Sequence, residues 1–243
     1  MRWMWVAMFV WAVSVDAEDL TLTVPLLPAV SADVYAGIAE RVQRVFVKEG
    51  DRVAAGDTLT VLEDGTMRLA ESAARVAYEK VKSRLKRAEQ MEARGLISAQ
   101  QLEDLRFDVE AAQSRWERAQ KDLDQAVVVA PLSGVIAECG VRAGDLTSLR
   151  GLLFRVIVPE DLKAELFIPA DRLSGVRIGQ HVAARPASGP DRALEGRIVS
   201  LSPVIDPESG TCRAIALFPG AGRVVRPGAV ARVQLSRHKV NGK

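Results

Sequence analysis

Residues 94–101 read Arg-Gly-Leu-Ile-Ser-Ala-Gln-Gln, and they interrupt a 60-residue segment, 67–126, that contains no proline and no other glycine. The segment carries 23 charges, 12 basic and 11 acidic, a composition typical of long solvent-facing helices. Gly95 suits the left-handed C′ position that ends one helix. Ser98 and Gln101 are spaced as a capping box that begins the next helix. We therefore predict an antiparallel helical hairpin over residues 65–126, with its turn at Gly95.

The apolar spacing on both sides of the turn supports this hairpin. In the second half, apolar residues alternate steps of three and four, which indicates a seam for one partner helix. The first half has an extra step of four between Val81 and Leu85, which we interpret as a stutter. At 1.5 Å per residue, each arm is about 40 Å long. The second seam comprises Leu102, Leu105, Val109, Ala112, Trp116, Ala119, Leu123 and Ala126, and the first comprises Ala70, Ala74, Ala77, Val81, Leu85, Ala88 and Met91.

The segments that flank the hairpin resemble each other. Residues 47–51 read Val-Lys-Glu-Gly-Asp and residues 141–145 read Val-Arg-Ala-Gly-Asp, and each is followed by an apolar strand pattern. Two similar half-domains can fold into one β sandwich when an antiparallel hairpin brings their ends together. Because Gly-Asp is a common turn pair, chance similarity is the alternative explanation.

The segment from about residue 162 to residue 235 alternates apolar and polar residues with no helical period. Turn signals at residues 178–180, 207–210 and 226–228 separate several short strands, which favours a small β-barrel. The predicted fold is thus mainly β with a long α-helical hairpin: a β sandwich split by the hairpin, followed by a small β-barrel.

The first residues have the pattern of an export signal. Arg2 precedes an apolar run of 13 residues, Trp3 to Val15, and Ala17 is a plausible cleavage point. A membrane-spanning helix needs about 20 apolar residues, so an uncleaved anchor is the weaker interpretation. We expect residues 1–17 to be a signal peptide and the mature protein to be exported.

Composition disfavours several other classes of protein. A net charge of +2 without a basic block argues against a nucleic-acid partner. With two His, a three-His zinc site is impossible, and we predict no metal, cofactor or catalytic residue. His181 and His238 have no nearby ligand partner. Cys139 and Cys212 could pair in an oxidising compartment, but we favour two free, buried thiols.

The order of these parts resembles the periplasmic adaptors, or membrane fusion proteins, of tripartite efflux pumps. The first lipoyl half of that family resembles residues 45–59, and the second resembles residues 129–136 with Ala143-Gly144-Asp145. The family's barrel resembles residues 178–182 and 225–228. The resemblance implies a lipoyl-like domain in two halves, 37–64 and 127–160, and a barrel over 161–236. An N-terminal segment, 18–36, and a C-terminal tail, 237–243, flank them, and we expect the family's membrane-proximal domain to be absent or vestigial.

The resemblance also implies a docking site at the hairpin tip. Adaptors carry an Arg, a Leu four residues on and a Ser seven further, which corresponds here to Arg87, Met91 and Ser98. With Arg94, Gly95 and Leu96 these residues would contact an outer-membrane channel. The alternative is that Ser98 only caps its helix and Arg87 is a solvated charge.

The implied function is a non-enzymatic periplasmic adaptor. Its partners would be an outer-membrane channel, an inner-membrane transporter of the resistance-nodulation-division (RND) type rather than an ATP-driven one, and further copies in a ring, by resemblance six. A periplasmic coiled-coil scaffold that reuses adaptor domains is the alternative. A lipoyl or biotinyl carrier is disfavoured, because the turn that would present its lysine instead begins the hairpin at residues 63–66.

Overall fold

The computed structural model describes residues 20–188 and 192–235, which fall by their contacts into two units. One unit contains the chain up to Ala29 and from Pro159 onward, and the other contains Val30–Val158. The predicted signal peptide and C-terminal tail, and His238 within that tail, lie outside the described residues. The strands are β1 (Leu20–Pro25), β2 (Leu27–Tyr35), β3 (Val42–Val45), β4 (Arg52–Val53), β5 (Thr58–Leu62), β6 (Val127–Val129), β7 (Gly134–Cys139), β8 (Leu152–Pro169), β9 (His181–Pro186), β10 (Leu194–Asp206), β11 (Thr211–Phe218) and β12 (Val230–Leu235).

Two long helices separate β5 from β6. Helix α1 spans Gly65–Glu92 and helix α2 spans Ala99–Asp124, which confirms the predicted hairpin. Each helix packs mainly against the other helix. At the base of α1, Met67 packs against the core of the sandwich. Neither of the two helices in the described part of the chain is long and apolar enough to cross a membrane.

The seam between the helices is as predicted on α2 but not on α1. Every predicted seam residue of α2 is buried or half-buried. On α1, the predicted seam residues Ala70, Ala77 and Met91 are exposed. The observed seam of α1 keeps regular steps of four and three, so the predicted stutter is wrong. Its members are Met67, Glu71, Ala74, Tyr78, Val81, Leu85 and Ala88.

The prediction of α1 failed because two seam positions hold residues that an apolar pattern does not count. Glu71 lies in the seam because its carboxylate accepts a hydrogen bond of 2.7 Å from the indole N–H of Trp116. Tyr78 lies there because its ring stacks on that of Trp116, with centroids 5.3 Å apart.

The two repeated flanks interlock as the halves of one lipoyl-like sandwich. Gly50, with a φ of 90°, donates its N–H to Ile136, and Ile136 donates in return to Asp51. The second repeat mirrors this arrangement: Gly144, with a φ of 93°, donates to Val42, whose own N–H donates to the carbonyl of Asp145. Both glycines need a left-handed backbone, so the repeated Gly-Asp pair is a matched structural element and not a coincidence. The sandwich consists of the sheet β3-β5-β6 and the paired strands β4, β7 and the first part of β8.

The second unit is the predicted barrel. Its strands lie in the order β1-β12-β9-β10-β11-β8. All of them lie entirely within this unit except β8, which is divided between the two units. Each strand is antiparallel to its neighbours in this order. Short 3-10 helices span Ala170–Gly175 and Ala221–Arg223. Leu26, Leu162, Leu166 and Phe218 are fully buried in its core.

The N-terminal segment predicted at 18–36 is not a separate element. Strand β1 pairs with β12 from Leu20↔Leu235 to Pro25↔Val230, so it belongs to the barrel unit. Leu20, Leu22 and Val24 pack against the barrel core on the inward face of β1. The prediction missed this pairing because the partner strand is more than 200 residues away in the sequence.

Candidate functional site

The turn between the helices is a Schellman motif built on Gly95. Its φ is 71°, in the left-handed region that favours glycine. The N–H of Gly95 donates to the carbonyl of Glu92 at 2.8 Å, and the N–H of Leu96 donates to that of Met91 at 2.9 Å. These two bonds place Gly95 at the C′ position, as predicted, and they fix the direction in which the chain leaves α1.

The start of α2 is fixed by the predicted capping box. The hydroxyl of Ser98 accepts the N–H of Gln101 at 3.2 Å, and the side chain of Gln101 accepts the N–H of Ser98 at 3.0 Å. Both helix ends at the tip therefore have hydrogen-bonded backbone groups. The hydroxyl of Ser98 therefore already accepts a hydrogen bond within the chain.

The side chains around this turn form an exposed surface of mixed character, which we call the tip surface: Arg87, Met91, Arg94 and Leu96. All four are exposed, and the exposed fractions of Met91 and Leu96 are 44% and 64%. Within the described residues, neither arginine forms an ion pair. A guanidinium offers five N–H donors in a fixed fork, and Met and Leu offer apolar contact area. The tip surface can therefore bind a partner that presents carbonyls or carboxylates next to an apolar pocket.

The structure brings the predicted docking residues to one end of the hairpin. Arg94, Gly95 and Leu96 form the turn, Met91 lies in the last turn of α1, and Ser98 caps α2. Arg87 lies one helical turn farther from the tip, about 6 Å along the axis from Met91. In the described part of the chain, no group of three or more His, Cys, Asp or Glu could hold a metal ion.

Comparison with known proteins gives a family match for the barrel and more distant relatives along most of the chain. A family model described as "CusB-like, beta-barrel domain" matches residues 164–239, which cover most of the barrel. The nickel-cobalt-cadmium resistance protein NccB of Alcaligenes xylosoxydans xylosoxydans is 26% identical over 235 residues, which are 90% of this chain and 57% of NccB. The chain spans about half the length of the curated relatives it matches.

Solved structures share the fold. A MacA–MexA chimera that contains the Pseudomonas aeruginosa MexA α-hairpin domain is similar with a TM-score of 0.83 and 18% identity, over 90% of this chain and 79% of the chimera. The membrane fusion protein Spr0693 from Streptococcus pneumoniae R6 is similar with a TM-score of 0.71 and 18% identity, over 90% of this chain and 100% of Spr0693. The barrel therefore matches the CusB-like family model, and the chain as a whole shares the fold of these solved structures.

Three exposed apolar residues on the hairpin were not among the predicted site residues. Leu69, Val76 and Phe107 have exposed fractions of 73%, 63% and 62%, and none lies in the seam. The sequence could have identified them, because they are large apolar residues that fall outside the three-four spacing of the seam. They add apolar area to the outer faces of an otherwise polar hairpin.

The two cysteines of the chain are free thiols, as we favoured. Cys212 is buried in the barrel unit, where its thiol lies 3.2 Å from the carbonyl oxygen of Ser202. Cys139 is only half-buried, so the expectation that both are buried is wrong for this residue. It lies at the end of β7, where the sandwich is partly open to solvent.

Proposed function

We propose that this protein is the periplasmic adaptor of a tripartite efflux pump, linking an RND-type inner-membrane transporter to an outer-membrane channel. The observation that carries the proposal is the tip surface: two arginines that form no ion pair with any described residue, and two exposed apolar side chains, at the turn of a two-helix rod. Helix α1 has 28 residues and is therefore about 42 Å long. Such a rod presents its tip well away from the sandwich that supports it.

The chemistry of the tip surface suits an α-helical channel mouth. Helix ends expose carbonyl groups without internal partners, and an arginine fork donates well to such carbonyls and to carboxylates. Met91 and Leu96 would fill apolar gaps between the channel's helices, and the flexible thioether of Met91 tolerates an imperfect fit. We assign the docking role to Arg87, Met91, Arg94 and Leu96, with Gly95 and Ser98 holding the turn.

The adaptor acts as a conduit and carries out no chemistry in this proposal. Copies would assemble side by side in a ring of six, the number implied by the family resemblance. Leu69, Val76 and Phe107 supply apolar contacts between neighbouring hairpins. The RND-type transporter would supply the energy, and the CusB-like barrel supports that type over an ATP-driven one.

Cysteine crosslinking in cells tests the proposal. In a chain with Cys139→Ser and Cys212→Ser, Leu96→Cys would be paired with cysteines at the periplasmic mouth of a candidate outer-membrane channel from the same organism. We expect Leu96→Cys to crosslink to the channel and Val76→Cys, on α1 far from the turn, to crosslink only to a second copy of the adaptor. If Leu96→Cys also captured adaptor copies alone, the docking assignment would be wrong and the coiled-coil scaffold would be favoured.

A charge reversal tests the arginine directly. We expect Arg87→Asp to abolish the crosslink from Leu96→Cys and to reduce efflux. The matched control is Arg75→Asp, which reverses an exposed arginine on the same helix about 18 Å nearer the base. Equal effects of the two variants would contradict a specific role for Arg87.

A further inference from the structure

Two arginines lie directly opposite each other on the outer face of the barrel. Arg232 of β12 pairs in register with Arg185 of β9, and on its other side Arg232 pairs with Thr23 of β1. All three side chains are exposed. Their strand neighbours point into the core and are buried: Ala184, Ala231 and Val233. The two guanidinium groups therefore rise from the same face of adjacent strands.

This placement leaves two like charges uncompensated. Like charges directly opposite each other on antiparallel strands destabilise the pair. Among the described residues, no carboxylate forms an ion pair with Arg185 or Arg232. Within the part of the chain that the structure describes, the nearest carboxylate on this face by register is Glu195, which pairs with Ala183 and is thus diagonal to Arg185. A fold that places two cations together without a counter-charge favours an anion from outside the chain.

A surface cavity lies at the same place. Its volume is about 270 Å³, and its lining residues are Arg185, Pro186, Ala187, Arg232 and Gln234. Gln234 is two residues from Arg232 and so lies on the same face of β12. The lining offers two guanidinium groups and one amide, but no carboxylate.

We propose that this cavity binds a phosphate-type dianion between Arg185 and Arg232. Each guanidinium can present two parallel N–H donors to two oxygens of a tetrahedral oxyanion. A dianion bridging the two side chains converts their mutual repulsion into two attractive contacts. The amide of Gln234 and the hydroxyl of Thr23 are further donors within the same two rows of the sheet. The site takes either free inorganic phosphate or the phosphomonoester headgroup of a lipid, and it is independent of docking by the hairpin.

Calorimetry on the purified full chain tests the site with inorganic phosphate at about 0.15 M NaCl, where exposed charges farther apart than about 8 Å are screened. We expect Arg185→Ala and Arg232→Ala each to weaken phosphate binding at least about tenfold, the effect of losing one charge-assisted contact. Arg213→Ala is the matched control, because Arg213 is exposed on β11 of the same barrel but pairs with Phe167. The affinity of the Arg213→Ala variant for phosphate should stay within about twofold of that of the wild-type protein.

Vesicles distinguish the two sources of the phosphate group. Phosphatidylcholine vesicles with and without phosphatidic acid are sedimented with the same four proteins. Binding of free phosphate supports a site for the soluble anion, and arginine-dependent binding to phosphatidic acid vesicles alone supports a lipid headgroup. Equal binding by wild type and both alanine variants would overturn the proposal. The proposal would also be overturned if the wild-type protein bound neither inorganic phosphate nor phosphatidic acid vesicles, even if it bound an acidic peptide.

Thermal melting tests the site in a second way, through the stability of the protein with and without phosphate. In phosphate-free buffer, Arg232→Gln should raise the Tm, because it removes one of two opposed like charges. Added phosphate should raise the Tm of wild type and leave that of Arg232→Gln unchanged. Identical shifts in both proteins would contradict a site between these two arginines.

Discussion

The indole N–H of Trp116 on α2 donates a hydrogen bond of 2.7 Å to a carboxylate oxygen of Glu71 on α1. The same indole stacks on Tyr78, and the ammonium of Lys82 lies 5.2 Å from the centroid of the Tyr78 ring. These side chains form a polar and aromatic cluster within a seam that is otherwise aliphatic. A single polar pair at seam positions sets which residues of two helices face each other, because a shift would leave the pair without partners.

Replacing Trp116 by Phe should destabilise the hairpin. Trp116→Phe keeps an aromatic ring for Tyr78 but leaves the half-buried carboxylate of Glu71 without its donor. We expect a loss of about 1–2 kcal/mol in the free energy of unfolding, measured by urea titration of the helical circular dichroism signal. Val76→Ala, at an exposed position of α1, should change it by less than about 0.5 kcal/mol.

A double variant tests whether the cost of Trp116→Phe comes from this pair. If it does, Glu71→Leu, which removes the acceptor, combined with Trp116→Phe should cost less than the sum of the two single changes. Simple additivity would show that Trp116 stabilises the hairpin through packing alone.

Local signals in the sequence were enough to predict the end of α1 and the start of α2. Gly95, Ser98 and Gln101 act on backbone groups within a few residues of themselves, so their spacing is sufficient. The register of α1 in the seam, in contrast, depends on contacts with residues far away in the sequence. Ala77 was predicted in the seam and Tyr78 outside it, and the reverse holds because the ring of Trp116, 38 residues away, covers Tyr78.

Contacts between distant strands were beyond the reach of the sequence patterns. Leu20 pairs with Leu235, and Arg185 lies opposite Arg232. No local sequence pattern in β1, β9 or β12 indicates which strand each one pairs with. Alternation of apolar and polar residues shows which face of a strand is buried. It does not show which strand lies beside it. The strand β1 and the arginine pair on the barrel could therefore be found only in the structure.

The sandwich should depend on the hydroxyl of Thr147. Thr147 is 6% exposed, and its Oγ1 accepts the N–H of Glu40 at 3.0 Å while it lies 2.9 Å from the carbonyl oxygen of Ile38. Thr147→Val keeps the side-chain shape but leaves that N–H without an acceptor, so we expect a loss of about 1–3 kcal/mol in the free energy of unfolding. Thr147→Ser keeps the hydroxyl and should cost about 1 kcal/mol from the lost methyl group. Chemical denaturation of the two variants decides this, and a serine variant less stable than the valine variant would contradict the role of the hydroxyl.

The stability of the sandwich should fall in acid through Asp33. Hydrogen bonds from Arg155 to Asp33, of 2.6 Å and 3.2 Å, hold the pKa of that carboxyl below its ordinary value of 3.8, with the positive charge of Arg155 adding to the effect. A carboxyl with a lowered pKa in the folded state contributes stability above its unfolded pKa, and this stability is lost as pH falls through the folded pKa. The Tm should thus fall between neutral pH and values below 3.8, and it should fall less steeply in Asp33→Asn.

The arginine variant shows whether this acid sensitivity belongs to the pair. Arg155→Ala should flatten the acid limb of the Tm profile at least as much as Asp33→Asn does, and the double variant should match Arg155→Ala. Arg155 also lies 3.1 Å from Glu138, so Glu138→Gln serves as a comparison that removes a different carboxylate from the same arginine. A profile for Asp33→Asn as steep as that of wild type would rule out the Asp33–Arg155 pair as its source.

The turn at the hairpin tip should tolerate Asn at position 95 better than Ala. A Cβ at Gly95 would meet no atom within 4 Å, so the cost of substitution comes from the left-handed backbone alone. That conformation costs an alanine about 1–2 kcal/mol, whereas asparagine adopts it more readily. Because the strain is confined to the tip, Gly95→Ala should speed hydrogen exchange at the amides of Gly95 and Leu96, which close the Schellman motif, and should barely change the global Tm. Gly95→Asn should exchange at a rate between those of wild type and Gly95→Ala, and equal protection in all three proteins would show that the motif does not hold the tip in place.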